Sequence, residues 1–138
     1  MHTTQIALYA LVSWILLILV LLVALRVYNV VVKGKAANSF SPQGDDVSAY
    51  SARLCRVHAN CYESFPVFGG LLLLALATDL THITDGLALY AVAARVGQSL
   101  VHLVSTSNMA VNLRFAFFLA QIVIWVYWAI AIGRALFG

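Results

Sequence analysis

Residues 5–32 read QIALYALVSWILLILVLLVALRVYNVVV, an apolar run that only Arg26 and Asn29 interrupt, near its end. An α-helix rises ~1.5 Å per residue, so roughly 20 apolar residues cross ~30 Å of hydrocarbon. We therefore predict that this run spans a membrane. Three further stretches meet the same criterion, at about residues 47–80, 86–105 and 112–137. Together they predict an all-α membrane protein with four transmembrane helices.

The composition supports the same class of protein and a single domain over residues 1–138. The chain is 63% hydrophobic and 9% charged, with a mean hydropathy of +0.95, far above that of ordinary soluble domains. Residues 1–5 contain no Lys or Arg, whereas a cleavable signal peptide carries positive charge ahead of its apolar core. We therefore expect the first span to remain in the mature protein.

The distribution of cations predicts the orientation in the membrane, because short cytoplasmic loops carry an excess of Lys and Arg. Cations flank the first link, residues 34–45, on both sides: Arg26, Lys33, Lys35, Arg53 and Arg56. Arg114 follows the third link, residues 106–111, while the second link carries Asp79, His82 and Asp85. Loops one and three are therefore predicted to be cytoplasmic, with both termini on the opposite side.

The sequence does not indicate a nucleic-acid site, a disulfide or a metal site. The net charge of +3 comes from cations at the membrane edges without a basic run, so nucleic-acid binding is not expected. Cys55 and Cys61 lie six apart on one helix and roughly 9 Å apart by helical rise, too far for a disulfide. No metal site is expected, because the histidines fall in separate segments: His2, His58, His82 and His102.

The best candidate for a site lies at the start of the second span. Arg53, Arg56, Asn60 and Glu63 recur at spacings of three, four and three residues, just before Pro66. These spacings place the four side chains on one stripe of a helix. Polar groups entering hydrocarbon are costly unless they find a partner or a ligand. The stripe therefore predicts a binding site.

The third span repeats this pattern with fewer residues. Arg95, Gln98 or Ser99, and His102 share one face in a segment made otherwise of small and apolar residues. An arginine about ten residues into a span must face protein or water. Arg95 therefore either binds a ligand or pairs with Glu63 to hold the helices together.

On the fourth span, Arg114 is followed on the same face by Phe118, Gln121 and Trp125. Arg114 could extend to lipid phosphates, and a single Gln in a span commonly forms an interhelical hydrogen bond. Trp125, Tyr127 and Trp128 lie toward the far end, where aromatic rings prefer the membrane interface. We interpret these three as an aromatic belt.

The charged residues suggest the ligand's chemistry. Five cations, one amide and one anion are expected at similar depth on the cytoplasmic side: Arg26, Arg53, Arg56, Asn60, Glu63, Arg95 and Arg114. This set suits a small zwitterion with excess negative charge, because carboxylates accept forked bonds from guanidinium groups. An ammonium group of the same ligand would pair with Glu63.

Residues 56–68, RVHANCYESFPVF, resemble the second-helix signature of the MAPEG family, the membrane-associated proteins of eicosanoid and glutathione metabolism. The pattern is Arg56, Asn60 four residues on, Glu63 and then Pro66. The Ala-Arg pair ending at Arg95 is similar to the family's third-helix motif, and an arginine opening helix four is also typical. The chain resembles the bacterial-type microsomal glutathione transferases over nearly its whole length.

The resemblance implies a left-handed four-helix bundle that forms a homotrimer, with glutathione bound between subunits near the cytoplasmic face. It implies that Arg114 is the catalytic residue and stabilises the glutathione thiolate. Arg95 would contact glutathione or brace the site, and Arg26 or Lys33 would supply a first-helix cation. The candidate glutathione-binding residues are Arg26, Arg53, Arg56, Asn60, Glu63, Arg95, Gln98 and His102.

The implied activity is glutathione transfer to lipophilic electrophiles that partition from the bilayer, with glutathione as co-substrate and possible peroxidase activity toward lipid hydroperoxides. An alternative is a non-catalytic member that binds lipids or partner proteins, since Phe118 and His102 stand where many members carry Tyr. A small proton-coupled transporter is a third alternative, but such a protein places an acid in its first helix and this chain has none there.

Overall fold

The computed structural model describes all 138 residues as four long α-helices without a β-strand. They are α1 (Thr3–Val31), α2 (Ala49–Ala77), α3 (Thr81–Val104) and α4 (Asn108–Phe137). Each is long and apolar enough to cross a membrane. The prediction of an all-α, multi-pass integral membrane protein is therefore confirmed.

All four helices begin at different residues from the expected spans, and local hydrogen bonds explain the starts of α2, α3 and α4. α2 begins at Ala49 because the Ser48 hydroxyl caps it, accepting from the Ser51 amide at 3.0 Å. Ser107 caps α4 in the same way, so this helix begins at Asn108, four residues before the expected start at about 112. α3 begins at Thr81 rather than at about residue 86, because its polar first turns bond to the start of α1.

The helices pack around a central pair formed by α2 and α3. Helix α1 packs on one side of this pair and α4 on the other, and α1 and α4 do not contact each other. Ala88 and Ala91 of α3 are fully buried, and such small residues let helices approach closely. The order of the helices across the bundle is therefore set by α2 and α3.

The apolar core changes composition along the bundle. In the half nearer link two, one cluster of buried residues includes side chains from all four helices, among them Leu11, Phe68, Val92 and Trp128. In the other half, a second cluster is built from α1 and α2 alone, around Ile18 and Leu54. Helix α4 takes no part in this second cluster, which leaves room between α2, α3 and α4.

The two tryptophans of α4 do not form an aromatic belt, so that interpretation was wrong. Trp128 is fully buried and Trp125 is 7% exposed, and both rings pack against Phe68. Tyr127 alone of the three is exposed. Burying these large rings at the α2–α4 contact outweighs their preference for the interface.

Link one folds back over the first turns of α2. Gly44 has a φ of +71°, and a Cβ there would lie 2.6 Å from the Cys55 Sγ, so only glycine fits. Asp46 forms an ion pair with Lys35 at 3.1 Å and accepts a hydrogen bond from the Ser41 amide. That amide, together with Lys35, holds the pKa of the Asp46 carboxyl below its ordinary value.

Two sets of contacts show which ends of the helices lie together. Arg53 Nε donates to the Leu103 carbonyl at 3.0 Å, joining the starts of α2 and link three. At the other end, His2 and Thr4 bond to Asp85 of α3. Links one and three therefore share one end of the bundle, and the N-terminus and link two share the other. Which end faces the cytoplasm remains a prediction.

Candidate functional site

A cleft opens between α2, α3 and α4 in the region that the second apolar cluster leaves free. Its volume is about 350 Å³, within the range of small-molecule sites. We call it the polar cleft, and its lining residues are Asn60, Glu63, Ser64, Arg95, Gln98, Phe118 and Trp125. Four of the predicted binding residues, one pair on α2 and one on α3, therefore meet in one cavity: Asn60, Glu63, Arg95 and Gln98.

Helix α2 supplies the acceptor side of the polar cleft. Glu63 is exposed and forms no ion pair within 4.0 Å. Ser64 lies one turn after Asn60, and its hydroxyl donates to the Asn60 carbonyl at 2.9 Å. The Glu63 carboxylate is therefore free to accept from a ligand, while the Ser64 hydrogen is already used within the helix.

Arg95 of α3 is the most unusual residue of the polar cleft, because it is a buried cation without a counter-ion. It is 1% exposed, and its single hydrogen bond is a long one, from Nη1 to the Asn60 carbonyl at 3.5 Å. Nε and Nη2 have no partner. The structure shows no ion pair between Arg95 and Glu63, so Arg95 does not brace the helices in that way.

One group partly compensates the Arg95 charge, and another holds the Arg95 backbone. The guanidinium carbon lies 5.9 Å from the centre of the Trp125 ring, where the π-electrons attract a cation. Behind it, the Ser99 hydroxyl donates to the Arg95 carbonyl and accepts from the Trp14 indole of α1. These contacts hold the backbone and one face of the guanidinium, but they leave two nitrogens for another partner.

Gln98 lies one turn beyond Arg95 and is held from α4. The Gln121 side chain is fully buried, and its Nε2 donates to Gln98 Oε1 at 2.9 Å and to the Phe117 carbonyl at 3.0 Å. Gly97 lets the Phe117 ring pack closely against α3 beside this contact, since a Cβ there would lie 3.1 Å from the ring. The predicted interhelical role of Gln121 is therefore observed.

The remaining predicted cations of α2 and α4 gather around His102, at the end of α3. His102 is buried, and its ring lies within the electrostatic influence of Arg114, Arg56 and Arg53. Arg53 is already bonded to the Leu103 carbonyl, whereas Arg56 is exposed and Arg114 has a buried Nε without a partner. We call these four residues the His102 rim.

The His102 rim and the polar cleft are adjacent along all three helices. Three of the four rim residues lie four positions from a lining residue of the cleft, and these pairs are Arg56 with Asn60, His102 with Gln98, and Arg114 with Phe118. Four residues correspond to about 6 Å of helical rise. Arg114 itself does not line the cleft, so it lies about one turn beyond its open end.

Arg26 lies elsewhere. Its guanidinium carbon sits 5.6 Å from the centre of the Phe40 ring in link one, and it lines a separate cavity of about 310 Å³ together with His58. This cavity is bounded by α1, link one and the opposite side of α2. The single chain therefore does not bring Arg26 to the polar cleft, because α2 stands between them.

Three lining residues were not predicted as binding residues, namely Ser64, Phe118 and Trp125. Ser64 stands one helical turn after Asn60, and Trp125 stands two turns after Phe118, so both continue faces that had been recognised. The spacing could have identified them. Serine is common in spans, however, and the tryptophan had a simpler explanation at the membrane interface.

The fold and the polar cleft define a class of protein, a four-helix membrane protein with a polar cleft between α2, α3 and α4. The MAPEG family profile matches residues 6–134 of this chain. The chain belongs to the MAPEG family, as the second-helix motif suggested. No curated protein and no solved structure gives a significant match.

Proposed function

We propose that the protein is a membrane-bound glutathione transferase that activates the glutathione thiolate for attack on lipophilic electrophiles. The observation that carries this proposal is Arg95, a cleft-lining residue that is 1% exposed and whose buried Nε and Nη2 have no partner in the protein. An unpaired buried charge costs several kcal/mol by order of magnitude. A bound anion would remove that cost, and membership in the MAPEG family is consistent with a glutathione-dependent enzyme.

The charged groups of glutathione find groups of opposite sign in the polar cleft and the His102 rim taken together. Glutathione carries two carboxylates, one ammonium and one thiol. The cleft offers the Glu63 carboxylate for the ammonium, and Arg95, Gln98 and Asn60 as donors to a carboxylate. The His102 rim adds the exposed Arg56 one turn away for the second carboxylate.

The chemical step needs the thiol as its anion. A free thiol has a pKa of about 8.5, and each unit by which a neighbouring cation lowers it corresponds to about 1.4 kcal/mol. Arg114 is the proposed stabiliser of that anion. The thiol loses its proton to water, the sulfur electron pair forms a bond to the electrophilic carbon, and the leaving group departs with its electron pair. The protein contributes proximity and charge stabilisation.

The proposed assembly is a homotrimer with the site near the cytoplasmic face. The position of Arg26 supports a second subunit, since its cavity opens on the side of α2 away from the polar cleft. Arg26 or Lys33 would reach glutathione only across a boundary between subunits. The long apolar faces of the helices, such as Leu16, Val20 and Val23 of α1, are free to meet lipid, a neighbouring subunit or a lipophilic substrate.

The test is binding and turnover by the purified protein. Glutathione at about 100 times its dissociation constant would stabilise the fold by about 2.7 kcal/mol, a shift visible in thermal unfolding. Conjugation of 1-chloro-2,4-dinitrobenzene and reduction of cumene hydroperoxide would then report the two reactions. A protein that is neither stabilised by millimolar glutathione nor active toward either reagent would contradict the proposal.

A second candidate is a non-catalytic MAPEG protein that binds lipids or partners in the cleft. The observation in its favour is that Phe118 presents an apolar ring to the cleft while Arg114 stays outside its lining. Ultraviolet absorbance of the thiolate separates the two candidates. Glutathione that binds without gaining thiolate absorbance at neutral pH would favour the non-catalytic protein.

A further inference from the structure

In the hydrogen bond between Gln121 of α4 and Gln98 of α3, one amide donates and the other accepts. Which of them accepts determines whether Gln98 presents a donor or an acceptor to a ligand in the cleft. Gln121 is fully buried, whereas Gln98 is partly buried and lines the polar cleft. The Gln121 Nε2 lies 3.0 Å from the Phe117 carbonyl and 2.9 Å from Gln98 Oε1. A side-chain amide has one end that donates two hydrogens and one end that only accepts.

The Phe117 carbonyl sets the direction, because a backbone carbonyl can only accept. The end of Gln121 that faces it must therefore be the NH₂ group, and this assignment follows from the hydrogen-bond network. The same NH₂ group faces Gln98 as well, so the Gln98 atom it meets must be the carbonyl oxygen. The Gln98 NH₂ group is then left with both hydrogens unused by any protein partner.

We infer that Gln121 is a positioning residue that holds Gln98 as a hydrogen-bond donor, and that Gln98 and Arg95 together form a subsite for an anionic group of the substrate. Gln98 and Arg95 lie three residues apart on α3, the spacing of neighbours on one helix face. Arg95 adds two unpartnered nitrogens to the Gln98 NH₂ group, and neither residue has a carboxylate partner. On the proposed function, on which this inference rests, the anion is a carboxylate or the thiolate of glutathione.

The Gln121→Glu variant is designed to keep a hydrogen bond between the two side chains while exchanging its donor and acceptor. A carboxyl group buried at this position would be uncharged, since ionisation in an apolar site is costly. The hydroxyl oxygen would replace Nε2, so its one hydrogen would donate to the Phe117 carbonyl and its lone pair would accept from the Gln98 NH₂ group. The interhelical hydrogen bond would survive, but Gln98 would turn its acceptor oxygen toward the cleft. We expect glutathione to bind about tenfold or more weakly with nearly unchanged thermal stability.

A double-mutant cycle shows whether Gln121 acts through Gln98. Gln98→Leu alone should weaken glutathione binding by a similar factor, and adding Gln121→Glu to it should weaken binding no further. Gln5→Glu is the matched control, because Gln5 is exposed near the other end of the bundle and uses only its oxygen, as acceptor from the His2 amide. Unchanged affinity in Gln121→Glu, or full additivity with Gln98→Leu, would overturn the inference and leave the proposed function standing.

Binding by S-methylglutathione, which has no thiol, distinguishes the two anions. If the subsite holds a carboxylate, Gln121→Glu weakens this probe as much as glutathione. If it holds the thiolate, the variant affects glutathione alone.

A readout without glutathione separates failure of the inference from failure of the proposed function. In protein labelled with ¹⁵N-glutamine, acetate should shift the Gln98 side-chain amide resonances in the wild type and not in Gln121→Glu. If glutathione does not bind but acetate produces this pattern, the anion subsite stands and the proposed function falls. If acetate shifts neither protein, or both equally, the subsite is contradicted.

Discussion

The two ends of the bundle each hold a polar group of residues, and they differ in how well those residues satisfy one another. At the end near link two, Asp85 accepts from the Thr4 amide at 2.8 Å and from the Thr4 hydroxyl at 2.6 Å, and it lies 3.4 Å from His2. Thr84 completes this Asp85 cluster through the Thr4 hydroxyl. In the polar cleft, by contrast, Arg95 and Gln121 keep buried polar atoms without a partner.

The difference separates a structural role from a binding role. In the Asp85 cluster, the Thr4 amide, one of the first backbone amides of α1 that no helix can satisfy internally, donates to a carboxylate on α3. Each member has its partner within the chain, so the cluster ties α1 to α3. In the polar cleft, by contrast, the folded chain provides no acceptor for two nitrogens of Arg95. A buried polar group without a partner in the chain is a candidate for bonding to a ligand, an ion or water.

Replacing Arg95 should give the largest effect on ligand binding. Arg95→Met removes the unpaired charge while keeping most of the side-chain length, so we expect glutathione to bind about 10- to 100-fold more weakly. Thermal stability should stay the same or rise, because a buried charge is replaced by an apolar group. Isothermal titration and thermal unfolding measure the two quantities. Arg134→Met, at an exposed position in the last turn of α4, is the control. A marked loss of stability in Arg95→Met would assign Arg95 a structural role instead.

Replacing Asp85 should give the opposite pattern. Asp85→Ala leaves the Thr4 amide and hydroxyl without their acceptor, and we expect a loss of about 2 kcal/mol in the free energy of unfolding. Glutathione affinity of the folded protein should not change, because the cluster is at the far end of the bundle. Denaturation in a defined detergent would measure the loss, with the exposed Asp45→Ala as control. If Asp85→Ala altered glutathione affinity without loss of stability, the division between a structural end and a binding end would be wrong.

Arg53 and Arg56 sharpen the same contrast within one helix. Arg53 donates to the Leu103 carbonyl, so Arg53→Ala should cost about 1 kcal/mol of stability with little effect on binding. Arg56 is exposed and has no such partner, so Arg56→Ala should leave stability unchanged and weaken glutathione binding several-fold. Only the Arg56 effect should diminish as salt concentration rises. Equal behaviour of the two variants would contradict this division.

The smallest effect is expected from Asp46 in link one. Its pKa lies below the ordinary value of 3.8, mainly because the Ser41 amide donates to it. A carboxyl with a lowered folded pKa stabilises the fold above its ordinary pKa and loses that contribution as pH falls through the folded value. Asp46→Asn should therefore lower stability slightly at neutral pH and reduce its fall below about pH 4. Thermal unfolding between pH 3 and 7 would show parallel curves for wild type and variant if the contact is unimportant.

Residue periodicity predicted both the fold class and four of the seven residues that line the polar cleft. Four apolar runs predicted four spans, and the spacing of Asn60 and Glu63 predicted their shared face, as did that of Arg95 and Gln98. Periodicity describes one helix at a time. It could not show that Arg26 faces away from the cleft, since that depends on which side of α2 each neighbour occupies. The burial of Trp125 and Trp128 likewise depends on α4 meeting Phe68 of α2.

The sequence by itself determined that this chain crosses a membrane four times and carries the MAPEG motif, because hydrophobic length and residue spacing are local properties. The tertiary structure decided which polar residues are satisfied. Arg95 and Asp85 look alike as single charges within one helix. The packing of α1 against α3 gives Asp85 its partners, whereas the packing of α3 beside α2 and α4 leaves Arg95 with unpartnered nitrogens. The hydrogen-bond partners of a side chain come from neighbouring helices, so residue spacing within one helix cannot predict them.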